Sequence, residues 1–137
     1  MLDKNTPADF IGINYPYTGD TVRFHKHSED SSLWLVLTDI CSILGLSNVS
    51  YTASKLSKEN IHKHKVHTDG GVQTVTWVRA SDALKLATEE NNQQLLDFIR
   101  DMAYRLRNIN HPVIIEKEQF LKLMSVFDEI SHSNYMI

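Results

Sequence analysis

The chain has 137 residues, with 14 Lys and Arg against 17 Asp and Glu, a net charge of −3, and 42% apolar and 23% charged residues. That length buries a core without staples, the single Cys41 excludes an internal disulfide and a multi-cysteine zinc site, and no uncharged apolar run has membrane-span length. The net charge argues against a general polyanion binder, but its distribution is uneven: residues 1–46 sum to −3, residues 47–79 to +3 and residues 80–137 to −3.

Residues 1–20 hold Pro7, Gly12, Pro16 and Gly19 and predict an irregular or briefly extended segment; their polar start does not resemble a secretory signal. "TVRFHKH" (Thr21–His27) alternates Val22, Phe24 and Lys26 against Arg23, His25 and His27, which predicts a strand. After a polar turn, "LWLVL" (Leu33–Leu37) predicts a second strand, and the two make a hairpin over 21–37. Thr38 and Asp39 resemble a helix start, with Thr38 as cap and Asp39 favoured electrostatically in the first turn. That short helix runs to Leu44 and ends at Gly45, which predicts a left-handed turn; a second helix follows from about Asn48 to Leu56, with Ser47 as a candidate cap.

Asp69-Gly70-Gly71 predicts a tight hairpin turn between "HKHKVHT" and "VQTVTWV", with Val72, Thr74, Thr76 and Val78 on one strand face and Gln73, Val75, Trp77 and Arg79 on the other. Ser81 caps a predicted helix carrying Ala83, Leu84, Leu86 and Ala87, and polar "EENNQQ" breaks it. Leu95, Leu96, Ile99, Met102, Ala103 and Leu106 recur at helical spacing, the strongest periodicity in the chain. Past Pro112, residues 117–130 predict an amphipathic helix whose stripe is Phe120, Leu123, Met124, Phe127 and Ile130; the stripe suggests a homodimer contact. The pattern predicts an α+β fold: two β-hairpins packed with short helices, a helix-turn-helix-like segment and a C-terminal helix.

The stretch "LWLVLTDICSILGLSNVSYTASKLSKENI" resembles the core of the Bro-N domain, found at the N-terminus of phage antirepressors and of DNA-virus proteins. The residues carrying the resemblance are Trp34, Asp39-Ile40-Cys41, Leu44-Gly45, Ser47-Asn48, Lys55, Gly70-Gly71 and Leu106-Arg107. It covers about residues 20–108, leaving 1–20 as an irregular lead-in and 109–137 as a helical extension. The resemblance implies a phage or prophage regulatory protein of the host cytoplasm that binds DNA, or one that captures a regulatory protein without touching DNA.

In the DNA reading, Asn48, Ser50, Tyr51, Ser54 and Lys55 lie on the exposed side of the second helix, and Lys58, Lys63 and Lys65 extend a basic strip. Asn can bond an adenine edge, Ser and Tyr can bond phosphate, and Lys supplies charge. The register differs from a usual helix-turn-helix, because the apolar positions are Val49, Ala53 and Leu56 rather than Tyr51 and Ser54. A solvated helix end on an α+β core is therefore the competing reading. The histidines of "HKH", His25/His27 and His62/His64, share strand faces but gain no Cys, Asp or Glu to complete a metal set, so polar strand faces are expected. Trp34, Trp77 and Cys41 are expected in the core. Without a phosphate loop, a His-Glu-x-x-His or a nucleophile elbow, the sequence predicts no enzyme, no cofactor and no small-molecule substrate.

Overall fold

The computed structural model describes residues 8–27 and 29–108. Strand β1 (Ile11–Asn14) pairs antiparallel with β2 (Thr21–Lys26), and β2 with β3 (Leu33–Val36). Helices α1 (Leu37–Leu44) and α2 (Val49–Ser54) follow, then a 3-10 turn over Lys58–Asn60. Strands β4 (Ile61–Thr68) and β5 (Gly71–Arg79) make the second hairpin, and α3 (Ala80–Glu89) and α4 (Gln93–Arg107) complete the described chain. The class is α+β. The two hairpins merge, because β3 also pairs antiparallel with β5, into one five-stranded sheet in the order β1-β2-β3-β5-β4.

Both faces of this sheet are apolar, so both must be covered. On one, Ile13, Val22, Phe24, Leu33, Leu35 and Val78 pack beneath Leu37, Ile40 and Cys41 of α1, Ala83 and Leu86 of α3, and Leu95, Ile99 and Met102 of α4. Phe98 of α4 meets Tyr15 edge-on at 5.1 Å. The other face holds Trp34, Val36, Val66 and Trp77, and here the cover comes from Ala8 and Phe10. Both tryptophans and Cys41 are buried, as expected.

Residues 8–10 lie across this second face as a strap. The Ala8 amide donates to the Lys65 carbonyl at 2.8 Å, on edge strand β4, while Ile11 opens β1 at the opposite edge. Three residues reach about 10 Å, whereas four strand spacings of a flat sheet span about 19 Å. The sheet is therefore curled toward the strap, and the strap's face is concave. Residues 8–20 thus contribute a paired strand and a strap; Gly12 and the prolines hide the short β pattern of "IGIN".

No loop separates β3 from α1. The helix begins at Leu37 with Val36 as its boundary residue and no side-chain cap, so Thr38 is not the cap. The early start leaves Thr21–Arg23 of β2 without a β3 partner, and Asp39 fills the place at Arg23. Its carboxylate accepts the Arg23 amide at 3.0 Å and the Arg23 guanidinium through Nε and Nη2, both at 2.9 Å. This hydrogen bonding raises the Arg23 guanidinium further above its already high range. A second tie joins β2 to α4: the Lys26 ammonium donates to the Leu106 carbonyl at 3.1 Å and the Arg107 carbonyl at 3.4 Å, at the negative end of the helix.

The helix ends follow from local chemistry. Gly45 takes φ 72°, and the Leu46 and Gly45 amides reach back to the Cys41 and Ser42 carbonyls, a left-handed stop of the Schellman kind. Asn91 does the same for α3 at φ 53°, with Asn92 and Asn91 donating to the Ala87 and Thr88 carbonyls. Asn92 then caps α4 by accepting the Leu95 amide at 3.0 Å. Ser81 is not the cap of α3, whose boundary residue is Arg79. The predicted helix over 117–130 and its dimer stripe lie outside the described residues. Among the described residues, no helix is long and apolar enough to cross a membrane.

Two outcomes follow. Gly45→Val should destabilise the protein by about 1–2 kcal/mol through the left-handed backbone alone, since a Cβ there meets nothing within 4 Å; denaturant unfolding measures it. Asp39→Ala should cost about 2 kcal/mol, because it strands an amide and a guanidinium that are largely shielded from water; thermal melting checks this.

Candidate nucleic-acid interface

The second helix is short. α2 ends at Ser54, and Lys55 and Leu56 turn out of it through bonds to the Thr52 and Ala53 carbonyls, two residues before the expected end. Its cap is Asn48, not Ser47: the Asn48 side-chain oxygen accepts the Tyr51 amide at 2.9 Å. Val49, Ala53 and Leu56 pack against the helix-side core, as their spacing predicted. Thr52 is buried, its hydroxyl bonded to the Asn48 carbonyl at 3.2 Å.

All eight predicted interface residues, Asn48, Ser50, Tyr51, Ser54, Lys55, Lys58, Lys63 and Lys65, are exposed. Their chemistry is not equally free. The Asn48 oxygen is committed to the cap, and the Ser54 hydroxyl donates to the Tyr51 carbonyl at 2.6 Å. The Lys55 ammonium lies 5.1 Å from the centre of the Tyr51 ring, so charge and aromatic face are presented together. Ser50, Tyr51 and the four lysines remain as groups that can meet a ligand.

The β4–β5 hairpin supplies the rest of the surface. β3 reaches β5 only at Trp77, Val78 and Arg79, so residues 71–76 of β5 have β4 as their only strand partner among the described residues. The distal hairpin is therefore a two-stranded ribbon, roughly 20 Å long at the usual rise per residue. One of its faces carries Lys63, Lys65 and His67 opposite Thr76, Thr74 and Val72. All of these are exposed except half-buried Thr76. This face continues from Ile61 and Val78, which pack into the helix-side core, so α2 and the basic ribbon face lie on the same side of the sheet. His67, Thr74 and Thr76 share this face with the lysines and were not among the residues the sequence pointed to. The alternation of β5 showed which of them share a face, but the cross-strand pairing that sets them beside the lysines appears only in the register.

Polar strand faces do not describe three of the five described histidines. His25, His27 and His64 are buried on the concave face, while His62 and His67 are exposed. The strap and the two tryptophans cover what the sequence left open. No group of three or more His, Cys, Asp or Glu side chains is arranged to hold a metal among the described residues.

No protein-family model, no curated protein and no solved structure matches the chain. The interface therefore rests on its own geometry.

Asn48 yields a test of the local structure. Asn48→Ala should lower stability by about 1 kcal/mol by removing the cap, and Asn48→Asp, which keeps an accepting oxygen, should retain most of it; melting temperatures of the two variants compare them.

Proposed function

We propose that this protein is a small regulatory DNA-binding domain of the Bro-N kind, gripping the duplex with α2 and the β4–β5 ribbon. The observation that carries the reading is the ribbon: a two-stranded projection that no third strand flanks among the described residues, with an exposed face of lysines and threonines on the same side of the sheet as α2. A two-stranded ribbon has the width of the DNA major groove. Lys55, Lys58, Lys63 and Lys65 meet phosphates, and Ser50, Tyr51 and Thr74 add hydrogen bonds to backbone or base edges. The +3 charge of residues 47–79 in an otherwise acidic chain concentrates attraction at this surface. The Bro-N resemblance of residues 20–108 supports a regulatory role in a phage or prophage.

A second reading has its own observation. Tyr51 and Val72, within the same surface, are 60% and 52% exposed, which suits capture of a regulatory protein as an antirepressor would do it.

Salt separates the two. Four phosphate contacts give a slope of about −3 to −4 in log affinity against log salt for duplex DNA, and an apolar protein interface gives a shallow one. Replacing Lys55, Lys63 and Lys65 together by Glu should abolish duplex binding in a fluorescence-anisotropy titration with the circular-dichroism spectrum unchanged. A folded triple variant that binds duplex as before contradicts the DNA reading.

A further inference from the structure

The concave face gathers titratable groups that the DNA interface does not use. His25, His27 and His64 are at most 7% exposed on the face that Trp34 and Trp77 share; His25 touches the strap, while His27 lies 3.4 Å from the Asp30 carboxylate at the β2–β3 turn. The His25 ring meets Trp77 edge-on at 5.9 Å and His27 at 6.4 Å. The strap is tied down at two points. The Ala8 amide donates to the Lys65 carbonyl, and His25 Nδ1 lies 2.6 Å from the Asp9 carbonyl.

The second tie fixes the state of the ring. A carbonyl only accepts, so Nδ1 of His25 carries the proton, and in the neutral ring Nε2 is the acceptor. Nε2 is buried and has no hydrogen-bond partner among the described residues. A second proton on this ring would therefore place a charge where no acceptor receives it. The charged and titratable groups facing the ring are Asp9 from the strap, His27 from its own strand and His64 from β4. Asp9 favours the added charge and the two histidines oppose it. Burial outweighs them all and holds His25 below the ordinary histidine range. His62, whose ring lies tilted against Trp34 at 4.9 Å, is lowered too, first by burial and then by nearby positive charge including Arg79.

We propose that residues 8–10 form an acid-operated latch: protonation of His25 releases the strap from the concave face, uncovers the Trp77 side of that face, and removes the brace behind the β4–β5 ribbon. The sign follows from linkage. The latched state binds fewer protons than the released one, so the latch is fully held above about pH 6.5, the ordinary histidine value, and weakens as pH falls from there toward the depressed value. The mechanical consequence falls on the ribbon because the strap's hydrogen bond is to Lys65, and Val66 beside it packs with Ala8. The inference does not depend on what the ribbon binds.

Amide hydrogen exchange on the full chain tests it, read as protection factors so that intrinsic pH effects cancel. Between pH 7 and 5 the Ala8 amide should lose protection by up to about tenfold per pH unit for each proton taken up on release, while the Val78 amide in the sheet centre keeps its own. In His25→Asn, whose amide still donates to the Asp9 carbonyl without titrating, the loss should be reduced or absent. A ring-nitrogen NMR titration of the native chain gives a reading independent of that variant's folding: His25 should titrate in the window where Ala8 opens. Unchanged protection of Ala8, equal loss in a folded His25→Asn, loss of Val78 along with Ala8, or a His25 ring that titrates outside that window would each overturn the latch.

Discussion

The arrangement turns on the point where β3 becomes α1 without a loop. The chain leaves the sheet at Val36, one residue after its last pairing with β2, and the next helical turn has to lie against the exposed end of β2. Asp39 makes that junction stable. Its carboxylate takes the amide that a longer β3 would have taken and clamps the side chain of the same residue, Arg23, with two further bonds. The direction of α1 is thereby fixed against β2. Gly45 then ends α1 in a left-handed turn, and α2 docks through Val49, Ala53 and Leu56. The outward side of α2, with Ser50, Tyr51 and Lys55, follows from this sequence of constraints.

The second constraint is a sheet with two apolar faces, only one of which the described helices cover. α1, α3 and α4 seal one face. The other is sealed by curling the sheet and drawing residues 8–10 across the hollow. The price of this solution is a layer of histidines among tryptophans, groups that are good neighbours when neutral and poor ones when charged. The distal half of β4 and β5 pairs with no other strand among the described residues, so the basic ribbon face and the buried His64 are the front and back of one hairpin.

Local features were legible in the sequence and nonlocal ones were not. The β2–β3 and β4–β5 hairpins, the left-handed Gly45, the stripe of α4 and the anchors Val49, Ala53 and Leu56 depend on neighbours in the chain, and all were predicted with their roles. The caps were misassigned, since Thr38, Ser47 and Ser81 look like caps by type, while Asn48 and Asn92 hold the positions where a side-chain oxygen meets the third amide on. The β3–β5 pairing joins strands some forty residues apart and leaves no local trace. The concave face was hidden for the same reason: a histidine in a polar run resembles a solvated residue until a strap from elsewhere in the chain covers it. At the interface, the lysines were legible as a charge excess, but the ribbon face that sets Thr74 and His67 beside Lys65 required the register.

α2 and the ribbon are proposed to form one nucleic-acid surface. Backbone amide shift mapping of the labelled chain, titrated with a short DNA duplex of mixed sequence at low salt, tests it most directly. A contiguous set of perturbed amides is expected at Ser50, Tyr51, Lys55, Lys58, Lys63, Lys65 and Thr74, with α3 and α4 silent. Perturbations confined to α3 and α4, or none at duplex concentrations in the high micromolar range, would contradict it.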